Sequence, residues 1–69
     1  MGYWAYTVLI YDTKGNAASA QAQNENEAIM KAEQNLRSNS GYSGRIAPGR
    51  TEVRHYDPQT GQHLGTYRY

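Results

Sequence analysis

The chain predicts an α+β fold, a small antiparallel sheet of about four strands in the order β-β-α-β-β with one helix packed on one face, and three observations predict it. A single stretch, residues 24–37, combines helical period with helical caps. The segments on either side alternate in the manner of strands, and two turn signatures, at 12–16 and 57–61, join those strands in pairs. Residues 1–69 then form one domain, with no internal repeat or linker.

The first strand is predicted over Tyr3 to Asp12, where β-branched and aromatic residues dominate. Asp12-Thr13-Lys14-Gly15-Asn16 reads as a type I turn closed by a glycine bulge, with Gly15 left-handed. That register sets Ile10 opposite Ala18, Val8 opposite Ala20 and Tyr6 opposite Ala22. The three alanines then form a low strip on which a helix can settle closely, and alternation sends Tyr3, Thr7, Leu9 and Tyr11 to the other face.

Asn24 is an N-cap and Glu27, three residues on, completes a capping box; Glu25 and Glu27 also set negative charge against the positive end of the helix dipole. Ala28, Ile29, Ala32 and Leu36 recur as a narrow apolar stripe, with Lys31, Glu33, Gln34 and Arg37 turned to water. Residues 38–50 contain Gly41, Gly44, Pro48 and Gly49, which exclude regular structure, and a loop of this length in so small a domain points to function or disorder. Ile46 is its one anchor into the core, leaving Tyr42, Arg45 and Arg50 to solvent or a partner.

Thr51 to Asp57 and Gln62 to Tyr69 read as a second hairpin, with Pro58 fixing one corner and Gly61 taking the left-handed position. A four-residue loop pairs His55 with Leu64 and Val53 with Thr66. In that register Val53 and Leu64 face the helix, while Arg54, Tyr56, His63, Tyr67 and Tyr69 face away.

Composition bounds the rest. Aliphatic residues are few, phenylalanine is absent, and the mean hydropathy is −0.93, so seven tyrosines and Trp4 must supply much of the buried area. With no cysteine there is neither a disulfide framework nor a thiolate metal site, which suits a reducing cytoplasm. No run approaches the roughly 18 apolar residues of a membrane span, and the N-terminus lacks the basic and apolar regions of a signal peptide. Met1-Gly2 is not a myristoylation start, because Tyr6 stands where that motif wants Ser or Thr. The formal net charge is +1, unevenly spread: no acid lies between Arg37 and Arg50.

A face carrying Tyr3, Tyr11, Tyr56, Tyr67, Tyr69 and Arg54, with Tyr42, Arg45 and Arg50 from the long loop, is the candidate partner-binding surface, since Tyr and Arg dominate protein interfaces. The same residue types on a sheet are a single-strand nucleic-acid platform, although the nearly neutral charge withholds the usual electrostatic footprint. An ordinary solvated sheet face, and a weak homodimer that buries the tyrosines, are the other readings. No metal is expected: His55 and His63 point to opposite faces, and zinc wants three or four converging ligands. No enzyme or cofactor is expected either, for no nucleophile stands by a base and the Gly41 to Gly44 segment follows a helix instead of opening one.

The strand Tyr-Thr-Val-Leu-Ile-Tyr, the small-residue second strand ending Ala-Gln-Asn, the helix opening Glu-Asn-Glu-Ala-Ile-Met-Lys-Ala and the closing hairpin resemble small phage-encoded inhibitors. The likeness runs from Tyr3 to Tyr56. One such group is the short anti-CRISPR proteins that act on type I surveillance complexes; another is the small phage inhibitor of bacterial RNA polymerase. The resemblance implies a non-enzymatic protein in the bacterial cytoplasm whose partner is a multi-subunit nucleoprotein complex, blocked sterically, with direct binding to nucleic acid as the alternative. Inhibitors that mimic nucleic acid are strongly acidic, whereas this chain is slightly basic, so docking through shaped patches is implied in place of mimicry. Glu25, Glu27 and Glu33 would be available to a basic surface.

Overall fold

The computed structural model describes residues 2–68. Four strands, β1 (Tyr6–Tyr11), β2 (Ala17–Ala22), β3 (Glu52–Tyr56) and β4 (His63–Arg68), form one antiparallel sheet in the order β2-β1-β3-β4, and the helix α1 (Glu25–Arg37) joins β2 to β3 through the long loop. The first hairpin has the register its sequence predicts, Tyr6 with Ala22, Val8 with Ala20 and Ile10 with Ala18. Gly15 has a φ of 91°, and the Asp12 N–H donates to the Asn16 carbonyl at 2.9 Å to close the turn. β1 is shorter than predicted. Ahead of it the chain bends at Ala5, and the Tyr3 N–H turns to the Pro58 carbonyl at 2.7 Å, tying the start of the chain to the second turn.

The helix is held at its start by Asn24, whose Oδ1 accepts the Glu27 N–H at 2.8 Å; Asn24 Nδ2 in turn donates to Glu27 Oε2 at 3.3 Å. It lies over β2 and β1. Ala28, Ala32 and Leu36 are fully buried against Val8, Ile10, Ala22 and Val53, with Ile29, Ala18 and Ala20 packed around them. Alanine on both surfaces brings helix and sheet close enough for Asn35 Nδ2 to reach the Ser19 carbonyl at 3.1 Å.

The long loop is built, and Asp12 builds it. The fully buried Asp12 carboxylate accepts the backbone N–H of Lys14 (2.8 Å), Asn16 (2.9 Å) and Ser43 (3.0 Å) and the Asn16 side-chain amide (2.9 Å). Asn16 Nδ2 also donates to the Gly41 carbonyl, Thr13 Oγ1 to Ser43 Oγ, and the Ala47 N–H to the Tyr11 carbonyl, so the loop is laced to the first turn. Ile46 anchors to the core as its sequence suggests. Tyr42, expected at the disposal of solvent, is half-buried and packs on the same core, because an apolar ring is needed where the core is thin.

The second hairpin departs from its predicted register by one residue. Its turn is as expected: Gly61 has a φ of 76°, and Asp57 and Gln62 close a four-residue loop through a 2.8 Å hydrogen bond. Tyr56 then pairs with His63, but His55 pairs with Gly65, which leaves Leu64 as an extra residue in a bulge. Beyond that point every β4 side chain exchanges faces relative to the simple alternation. Val53 pairs with Tyr67 instead of Thr66, so Tyr67 lies on the helix side, where its hydroxyl donates to the Glu25 carboxylate. Leu64, expected beneath the helix, is 53% exposed. Tyr69 lies outside the described residues.

Candidate functional site

Strand alternation and register assemble the face opposite the helix in rows that run across the sheet. One row is Ser19, Leu9, Glu52 and Arg68; the next is Gln21, Thr7, Arg54 and Thr66, with Tyr11 beyond one end and Tyr56 beyond the other. Arg50, at the end of the long loop, lays its guanidinium over the Tyr11 ring at 4.2 Å from the centroid. Arg54 Nη2 stands 3.5 Å from Glu52 Oε2; the Glu52 side chain is 16% exposed while Arg54 remains half in water. Tyr56 and His63 meet at 5.3 Å between centroids with rings tilted by 52°, and His63 Nε2 lies 2.6 Å from Thr66 Oγ1.

Shallow depressions run together along this face. One is bordered by Tyr11, Arg50, Glu52 and Arg68, and the next by Thr7, Leu9, Ser19, Glu52 and Arg54. They lead to a cleft of 380 Å³ walled by Tyr3, Trp4, Tyr56 and Gly61, with Thr7 and Gln21 also lining it. The Gly61 backbone is what lets Tyr3 lie there: a Cβ at that position would come within 2.9 Å of the Tyr3 ring.

The structure thus brings Tyr11, Arg50, Arg54 and Tyr56 onto one surface and sets Tyr3 at its end. Tyr67 and Tyr42, placed by sequence with that group, belong elsewhere, Tyr67 at the helix N-terminus and Tyr42 on the core. Arg45 is exposed in the long loop, where its carbonyl accepts from Thr13. Sequence reasoning missed Arg68, whose facing follows only from the bulge, and Trp4, which lines the cleft while Lys31 Nζ sits 5.9 Å from its ring centroid.

Charge is sorted between the two sides. The open face holds Arg50, Arg54 and Arg68 against Glu52 alone, whereas the helix carries Glu25, Glu27 and Glu33 against Lys31 and Arg37. Asp12 and Asp57 are spent in turns. Burial would raise the Asp12 pKa, but the hydrogen bonds from Asn16, Ser43 and Lys14 outweigh it and lower the pKa to about 2. The N–H of Gln59 chiefly lowers that of Asp57.

His55 stacks on Tyr6 at 4.5 Å on the helix side, away from His63, and no group of three His, Asp or Glu converges among the described residues. No helix among them is long and apolar enough to cross a membrane. No protein-family model, no curated protein and no solved structure matches the chain, so the open face is read from its own chemistry.

Proposed function

We propose that this chain is a non-enzymatic binding protein of the bacterial cytoplasm, a phage or mobile-element inhibitor of the anti-CRISPR type that docks on a type I CRISPR surveillance complex and obstructs it. The observation that carries the reading is the open face itself: Tyr11 and Tyr56 interleaved with Arg50, Arg54 and Arg68 on a rigid sheet, the residue types that anchor interfaces. Blocking needs no chemistry from such a protein. It needs a surface that stays in shape and holds on, and the capped helix and the laced loop supply the stiffness.

Mixing the purified chain with a purified surveillance complex tests this. The expected result is co-elution in size exclusion and loss of target-DNA binding by the complex, with Arg54→Glu weakening association by about tenfold or more. Separate elution with undiminished DNA binding would overturn the proposal, and co-elution with core RNA polymerase instead would reassign the partner.

A further inference from the structure

We infer that the open sheet face holds an unpaired polynucleotide strand, bases against Tyr11 and Tyr56 and phosphates against Arg50, Arg54 and Arg68. The inference deepens the proposed function, on which it rests, by naming the component of the nucleoprotein partner that this face grips. Charge complementarity argues for it. Three of the chain's seven Lys and Arg residues stand on this face with one of its six acids, and that acid, Glu52, is mostly covered and neutralised by Arg54. The near-neutral total therefore hides a local excess of two positive charges, the footprint that the composition conceals.

Shape argues the same way. The depressions form one path from Tyr11 to the Tyr3 and Trp4 cleft, sharing first Glu52 and then Thr7 from one to the next, a course suited to an extended chain. Tyrosines stand at its two ends, and at 380 Å³ the terminal cleft has room for a flat ring beside Tyr3, Trp4 and Tyr56. Stacking on aromatic faces requires bases freed from a duplex, and guanidinium groups supply the backbone contacts. Ring stacking and guanidinium contacts to phosphate are common to both kinds of strand, so DNA and RNA are both expected to bind.

Fluorescence anisotropy with labelled oligothymidylate and oligouridylate, using the whole chain, is the test. The inference expects micromolar binding, with the logarithm of the association constant falling against log salt with a slope of about −1.4, as a local excess of two positive charges on a single strand requires. Tyr56→Ala should weaken it about tenfold or more, and Arg54→Gln should flatten the slope by roughly 0.7, whereas Arg37→Gln, which removes the same charge from the far end of the helix, should leave it nearly unchanged. Circular dichroism confirms that each variant is folded. An abasic strand binding as well as oligothymidylate, or a duplex binding better than either single strand, would overturn the inference in favour of plain anion attraction. Absence of binding to both strands overturns it too; if the surveillance complex is still captured, docking through protein contacts stands without it.

Discussion

Asp12 follows β1 directly with its carboxylate turned inward, and its pKa lies at about 2 against an ordinary 3.8. A depressed pKa means that the ionised form is the one the fold favours. Its contribution is complete above pH 3.8 and is lost as the pH falls towards 2. Thermal melts should therefore show a steep loss of stability across that window, and Asp12→Asn should melt lower at pH 7 and respond less to acid; parallel acid profiles for the two proteins would contradict the assignment. The sequence shows Asp12 as a turn residue and no more, because the partner that makes it a tertiary hub, Ser43, lies 31 residues away. Glycines 15 and 61 form an instructive pair. Both have positive φ, so alanine at either should cost about 1–2 kcal/mol by chemical denaturation. Only at Gly61 does the new methyl meet the Tyr3 ring, so only Gly61→Ala should also shift the tyrosine resonances that report the cleft.

Among the elements, α1 and the register of the first hairpin were legible because everything that specifies them is local: a cap, a stripe, and a glycine turn whose length fixes the register; the late start of β1 at Tyr6 was not, since it depends on the contact of Tyr3 with the distant Pro58. Leu36 is fully buried in a core with few aliphatic side chains, so Leu36→Ala should destabilise by about 3 kcal/mol in urea unfolding, against about 1 kcal/mol for Asn24→Ala at the cap. The second hairpin was legible as far as its turn and no further. Nothing in the local residues announces that Leu64 is extruded; the bulge sets Tyr67 beside Glu25 and lets Arg68 join the open face, a balance settled across the sheet. Deleting Leu64 should leave a regular ladder with Tyr67 still at Glu25, visible as a retained contact between the tyrosine ring and the first helical turn. Deleting Thr66 should abolish that contact by sending Tyr67 to the other side.

For the molecule as a whole, the sequence disclosed that tyrosine and arginine would share the face away from the helix and placed Tyr11, Arg54 and Tyr56 there, but it left Arg50 to the long loop and assigned Tyr67 to the wrong side. It could not disclose the sorting of charge, because that depends on which acids are consumed by turns and which side of the sheet each arginine takes. That sorting sets how a partner perceives the molecule at a distance. The backbone spans 15 Å along its shortest axis, whereas ions in physiological buffer damp a field over a Debye length of about 8 Å, and in 0.01 M salt over about 30 Å. In dilute buffer an approaching polyanion feels the repulsion of the far carboxylates together with the attraction of the near guanidiniums, and the molecule looks almost neutral. At cellular ionic strength the far side fades first, and the protein presents itself as a cation with a front and a back.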